Sequence, residues 1–235
     1  MLRNSLMASG MAITLLLSGC SAMSSVYYNV EKSIEDKEFN ELVNESQIHI
    51  REAKVLLSEA EYEQAKYHLD QAFKLFPRQA SLHASYQKYY EMLGNERLAR
   101  LASKRYEDMV IRSDALNRKG RIAMVEMEKY ILAKDLFSLS LIYHDENTGT
   151  LLNIATLGLT TGDYELANVS LRLLSKMGHQ SPEASLIEYL VAQHAGDNER
   201  MDIVKLIMKI NWPDSKQFKF IDAQVGEQIG QQQIG

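Results

Sequence analysis

The sequence predicts an all-α fold, a stack of antiparallel helix pairs, and three observations predict it. Ala65, Ala99, Ala133 and Ala167 recur every 34 residues, each inside nearly the same phrase: Tyr62-Glu63-Gln64-Ala65, Glu96-Arg97-Leu98-Ala99, Tyr130-Ile131-Leu132-Ala133 and Tyr164-Glu165-Leu166-Ala167. Gly94, Gly162 and Gly196 keep the same register. Between these marks apolar residues return at helical spacing, and only three prolines interrupt 235 residues. Self-similarity at this period means a helix–turn–helix unit that cannot bury its apolar face alone and therefore stacks on its neighbours.

A unit of this length resembles the tetratricopeptide repeat, which implies a superhelix. The chain divides into about four repeats plus a degenerate fifth helix pair, over residues 41–218. Repeat one runs from Ser46 to Pro77. Its first helix carries Ile48, Ile50, Ala53, Leu56 and Leu57, and its second Ala65, Leu69, Ala72 and Phe73. Pro77 closes it, because proline cannot continue a helix. Repeat two spans Ala80 to Ile111, with Leu82, Tyr86, Tyr89 and Tyr90 ahead of the Gly94 turn and Ala99, Ala102 and Tyr106 behind it. Repeat three covers Ser113 to His144 with Leu116, Gly120, Ala123, Ala133, Phe137 and Leu141. Its turn, Glu126-Met127-Glu128-Lys129, lacks the glycine and reads as one residue longer. Repeat four, Thr148 to Met177, is the clearest copy. The fifth pair starts at Pro182, a favoured first helical residue, and ends near Trp212-Pro213. There Met201 stands in the alanine's place and loosens the packing. The periodic alanines build the fold: a small side chain at the helix crossing lets the leucine or phenylalanine one turn on interdigitate. Residues 219–235, rich in Gln and Gly, are expected to be disordered.

The N-terminus reads as a targeting segment, residues 1–19. Arg3 is its positive start, and Met7–Leu17 is apolar apart from Ser9, Gly10 and Thr14. Such a run is too short for a stable membrane span but has the length of a signal-peptide core. It ends in Leu17-Ser18-Gly19-Cys20, which resembles a bacterial lipobox. The resemblance implies cleavage before Cys20, a lipid on its sulfur and acylation of the new amino terminus. Multiple acyl chains anchor a protein without a transmembrane helix. Ser21, where the sorting rule of such lipoproteins reads aspartate as a retention signal, favours the outer membrane. Residues 20–40 then form the lipidated cysteine and a tether. Cys20 is the sole cysteine, so no disulfide forms within the chain.

Little in the composition points to catalysis. A formal charge of −5 opposes nucleic-acid binding, which needs a basic face. Phosphate-binding glycine loops, paired metal-ligand motifs and nucleophile elbows are not apparent. The expectation is a binding protein rather than an enzyme, with no cofactor, no metal and no small-molecule substrate. His49 and His83, 34 residues apart, read as packing residues or partly exposed rings rather than as a metal pair. Resemblance to the tetratricopeptide superhelix implies a concave wall made by the first helix of each repeat. Its inward positions are Gln47, Ile50, Lys54 and Leu57 in repeat one and Ser81, Ala84, Lys88 and Glu91 in repeat two. In repeat three, phased on Gly120, they are Asp114, Asn117, Arg121 and Met124. Lys54, Lys88 and Arg121 would form a basic ladder beside apolar Ile50, Leu57 and Ala84, with Asn117 among the contacts. Such a face suits an extended or helical peptide with acidic groups.

Several phrases resemble the PilF/PilW family of type IV pilus biogenesis lipoproteins. They are Ile50–Leu57 leading into Tyr62–Ala65, then Ala115-Leu116-Asn117-Arg118-Lys119-Gly120, then Ser181–Leu186 with Gly196-Asp197, and finally Trp212-Pro213-Asp214-Ser215. Arg118 and Lys119 depart from the family's Asn and Tyr, and the third turn lacks its glycine, so the chain reads as a divergent member. The resemblance implies an outer-membrane, periplasm-facing lipoprotein that acts as a pilotin, helping the pilus secretin to localise and multimerise. Its partners would be that secretin and outer-membrane lipid, through acylated Cys20. The alternative keeps the anchor and changes the client to another envelope machine, for outer-membrane protein insertion or cell-wall synthesis. Fold alone does not separate the two. A lipid-anchored enzyme would instead require a deep polar pocket with converging titratable groups.

Overall fold

Nine helices and a last helical segment at 216–223 make up the described residues, 37–223, of this computed structural model. They are α1 (Lys37–Ser58), α2 (Tyr62–Leu75), α3 (Ala80–Met92), α4 (Glu96–Val125), α5 (Tyr130–Tyr143), α6 (Thr148–Thr161), α7 (Tyr164–Lys176), α8 (Pro182–Ala195) and α9 (Asn198–Asn211). There is no strand among the described residues. Helices pair as α1 with α2, α3 with α4, α4 with α5, α6 with α7 and α8 with α9. First helices of neighbouring repeats also touch, α1 with α3, α4 with α6 and α6 with α8. This is a tetratricopeptide-type stack. The expected signal segment, Cys20, the tether up to residue 36 and the tail beyond 223 lie outside the described residues.

The periodic alanines sit where close approach is needed: Ala65, Ala133 and Ala167 have no exposed surface, and Ala99 almost none. At Ala167 the approach is backbone to backbone. A Cβ on Gly158 of α6 would lie 2.7 Å from the Ala167 amide nitrogen and 2.7 Å from the Asp163 carbonyl oxygen. Gly120 plays a similar part against Phe137, whose ring would meet its Cβ at 2.5 Å. Around these crossings the core divides into clusters that each join neighbouring repeats. Ile50, Ala53, Leu57, Ala65, Leu69, Leu82 and Tyr89 form one cluster, and Ala123, Leu132, Leu136, Phe137 and Leu157 another. In the fifth pair Met201 lies half-buried at the edge of a cluster of Tyr189, Val204, Met208 and Ile221.

Three boundaries differ from the sequence reading. The separate helices expected to end near Ile111 and begin near Ser113 are one helix, α4, of 30 residues and about 45 Å. From Asn95 to Lys119 the chain has neither glycine nor proline to stop it. Other junctions carry such stops, at Phe76-Pro77 or at Asn147 and Ser181, whose side chains cap the helices that follow. Ser113, at the same register, turns its hydroxyl sideways instead and meets the Ser140 carbonyl at 2.9 Å. Second, α1 is already helical at Lys37, inside the expected tether, and the Phe39 ring packs edge-on against Phe76 at 5.5 Å. Third, residues 219–223 of the expected disordered tail are helical, because Ile221 is fully buried under α8 and α9 and Asp222 pairs with Lys205 at 2.9 Å.

Polar seams fix the register between repeats. The Ser46 hydroxyl lies 3.1 Å from both the Ala72 carbonyl and Gln79 Oε1. Between repeats three and four the Ser140 hydroxyl meets Thr150 Oγ1 at 2.8 Å, while Asn147 Nδ2 donates to Ser113 Oγ and Asp114 Oδ1, both at 2.9 Å. Every group in this seam is satisfied by a neighbour, so burial is not penalised and one alignment of α4, α5 and α6 is selected.

Candidate partner-binding surface

The first-helix wall is more closed than its sequence suggests. Ile50 and Leu57, expected to line a groove, are buried at 2% and 1% exposure, clustered with Leu82 and Tyr89 of α3. The reason is that α1 packs on α2 and α3 at once, so its apolar face is used up within the stack. Lys54 is solvent-facing, but its Nζ lies 3.1 Å from Glu146 Oε1, a contact that links repeat one to the start of repeat four. Both side chains are about half exposed, so the pair adds little stability. It does occupy the lysine.

Gly120 lies against Phe137, in the way that Ala53 shares a cluster with Leu69 and Ala155 with Leu171. Asn117 is half-buried and accepts a 2.7 Å hydrogen bond from Asn153 of α6, an inter-repeat contact. Arg121 is exposed, Lys88 is exposed and Ala84 is half-buried. Neither Lys88 nor Arg121 forms an ion pair among the described residues. The expected ladder thus reduces to two available cations, Lys88 and Arg121.

A second feature, which spacing did not reveal, is a cleft between α2, α3 and α4. It encloses about 270 Å³ and is lined by Phe73, Tyr86, Tyr90, Leu101 and Arg105, with Asp70 and His83 at its polar side. Tyr86 and Tyr90 stack with their centroids 5.9 Å apart, and Phe73 meets Tyr86 edge-on. The Tyr86 hydroxyl donates to Asp70 Oδ1 at 2.8 Å, and Lys66 Nζ donates to Asp70 Oδ2 at 2.6 Å. Burial alone would raise the Asp70 pKa, but these two hydrogen bonds and the neighbouring lysine charges hold it below the ordinary carboxylate value. Burial, with the Asp70 bond second, pushes the Tyr86 phenol far above its usual range. His83 is held below the usual imidazole pKa by burial, with Arg105 adding to the effect against the bond to the Pro77 carbonyl. Its ring stays neutral and Nε2 donates to Pro77 O at 2.9 Å. The cleft therefore offers an aromatic floor, a saturated carboxylate and the Arg105 guanidinium. The three tyrosines at Tyr86, Tyr89 and Tyr90 were visible in the sequence. The contribution of Arg105 was not, because it comes from the next helix of the repeat.

No protein-family model matches this chain, and no curated protein matches it in sequence. Among solved structures, the chain is similar to one described under the functional characterisation of Pseudomonas aeruginosa pilF. The TM-score is 0.39 and the identity 19%, over 77% of this chain and 98% of that one. It is also similar to PilW, described as a widely conserved type IV pilus biogenesis factor. That TM-score is 0.38 and the identity 13%, over 75% and 97% of the two chains.

Proposed function

We propose that this protein is a lipid-anchored interaction scaffold in type IV pilus biogenesis, acting as a pilotin for the pilus secretin. The observation that carries the reading is a lipobox-like Leu17–Cys20 ahead of a helix-pair stack whose Ile50–Ala65, Ala115–Gly120 and Trp212–Ser215 phrases resemble the PilF/PilW family. Anchoring at the outer membrane follows from acylated Cys20 and from Ser21. The working surface is a binding surface: no bond is made or broken, and the protein positions a partner. Exposed Lys88 and Arg121 suit acidic groups of that partner, and the cleft beneath Tyr86, Tyr90 and Arg105 suits an apolar side chain flanked by a carboxylate.

The test is a mild-detergent pull-down from membranes with the wild type and Cys20→Ala side by side. The proposal expects SDS-resistant secretin multimers with the wild type and monomeric secretin in the variant. Recovery of the same unrelated envelope proteins by both forms, with secretin assembly untouched, would leave only the alternative, a scaffold for another envelope machine.

A further inference from the structure

At the crossing of α1 and α2 the structure brings together His49, Glu52 and His68. Their ligand atoms face one point: His68 Nδ1 is 2.7 Å from Glu52 Oε2 and 2.9 Å from His49 Nδ1, and His49 Nδ1 is 3.7 Å from the same carboxylate oxygen. All three atoms lie within 4.8 Å of one another. From these positions we propose a divalent transition-metal site, with Zn²⁺ as the ion that best fits two imidazoles and a carboxylate.

Three independent points support it. The first is hydrogen-bond bookkeeping. One proton on His68 Nδ1 can point at Glu52 or at His49, not squarely at both, so with neutral rings one short contact is always poorly served. A cation accepts all three lone pairs at once. The second is geometry. Ligand atoms about 2.0–2.1 Å from zinc in a tetrahedral site stand about 3.3 Å apart, and the observed separations bracket that value. Two ligands one turn apart on a helix and a third from the facing helix is a known way for helix pairs to hold metals. A fourth position is left for water.

The third point is the repeat itself. Position for position, the trio corresponds to His83, Tyr86 and Ala102 in repeat two and, because the third turn is one residue longer, to Leu116, Lys119 and Leu136 in repeat three. Ala102 and Leu136 are buried packing residues there. In repeat two, α2 of the preceding repeat covers the equivalent place, and His83 is only 4% exposed. Repeat one has no helix pair before it among the described residues, and the His49 and His68 side chains are each 22% exposed. At this first crossing among the described residues, His68 takes the place of the buried Ala102 and Leu136 and joins His49 and Glu52 in a cluster that an ion can reach. Bound there, zinc would staple α1 to α2 at the end of the stack nearest the N-terminus.

The sequence reading of no metal rested on the absence of a paired motif. His49 and Glu52 alone are too common a pair to signal a site, and His68 joins them only through the helix turn.

Zinc chloride and cobalt chloride, titrated into the untagged full-length protein, test the site. Calorimetry should give one ion per chain, and cobalt should show the intense visible bands of a four-coordinate centre. His68→Ala, and separately Glu52→Gln, should weaken zinc binding about 10–100-fold while helical circular dichroism of the metal-free proteins is unchanged. His179→Ala, remote from the trio, should bind like the wild type. The proposal is overturned if the wild type binds no zinc at micromolar concentrations. It is equally overturned if Glu52→Gln and His68→Ala both bind as the wild type does, or if cobalt gives only the weak spectrum of the hydrated ion.

Discussion

Two kinds of turn join the helices within repeats, and both place a left-handed residue two positions ahead of the second helix. Gly94, Gly162 and Gly196 adopt left-handed φ of 69°, 76° and 69°, and each is followed by Asn95, Asp163 or Asp197, whose side chain caps the next helix. Ala60 and Glu128, at the same 34-residue register, adopt φ of 63° and 53°, followed by Glu61 and Lys129, which make no side-chain cap. The closing bond of repeat one matches those of the glycine turns, Glu61 N–H reaching Leu56 O at 2.9 Å as Asn95 N–H reaches Tyr90 O at 2.8 Å and Asp197 N–H reaches Ala192 O at 3.0 Å, while in repeat three, one residue longer, Lys129 N–H reaches Ala123 O at 2.8 Å. The packing of each pair dictates the turn, and the residue placed there sets only its energetic cost. Repeats one and three hold left-handed turns that glycine would hold with less strain.

The comparison is broken most forcefully at Gly158, which lets α7 start close behind its Gly-Asp turn. Gly158→Ala should destabilise by about 3 kcal/mol, the upper range for overpacking, since the obstructing atoms are backbone. Urea denaturation measures it. Moving the chemistry of repeat one into repeat four, as Gly162→Ala with Asp163→Glu, should cost about 2 kcal/mol, half from the left-handed alanine and half from the lost cap. The reverse changes, Ala60→Gly and Glu128→Gly, should each stabilise by about 1 kcal/mol, read as a higher denaturation midpoint. If Ala60→Gly destabilised, the turn would not be under strain.

The smallest effect is a pH dependence at His83, buried where the equivalent His49 is partly exposed. Its folded pKa is depressed by burial, so unfolding lets it take up a proton that the native state refuses. Stability is then complete above an unfolded-state pKa of about 6.5 and declines below it, with a slope of at most about 1.4 kcal/mol per pH unit. His83→Gln, which can still donate to Pro77 O, should flatten thermal melts between pH 7.5 and 5.5 relative to the wild type.

Elements of the fold were legible where a residue type is obligatory. Alanine at a crossing and glycine at a turn are the residues that chemistry prefers there, so four alanines and three glycines revealed the period. Ala60 and Glu128 carry no such mark, and their turns emerge only when the backbone is seen. The fusion of repeats two and three was written as a missing stop between Asn95 and Lys119, a signal easily passed over when the period continues unbroken. At the candidate surface, Lys88 and Arg121 were found as exposed cations. Ile50 and Leu57 were misassigned because helix periodicity shows that a face is apolar without saying which neighbour covers it. His68 could not be joined to His49 and Glu52 without the angle at which α2 folds back on α1.

The unbroken α4 changes how such a molecule would respond to pull. A solenoid of separate repeats yields like a coil spring, each junction giving a little. Here the spring has a stiff bar welded into its middle, because no joint exists between repeats two and three. Load applied between the two ends of the described stack would pass through that bar undiminished. Extension would then collect at the softer joints on either side, around Phe76–Gln79 and His144–Asn147.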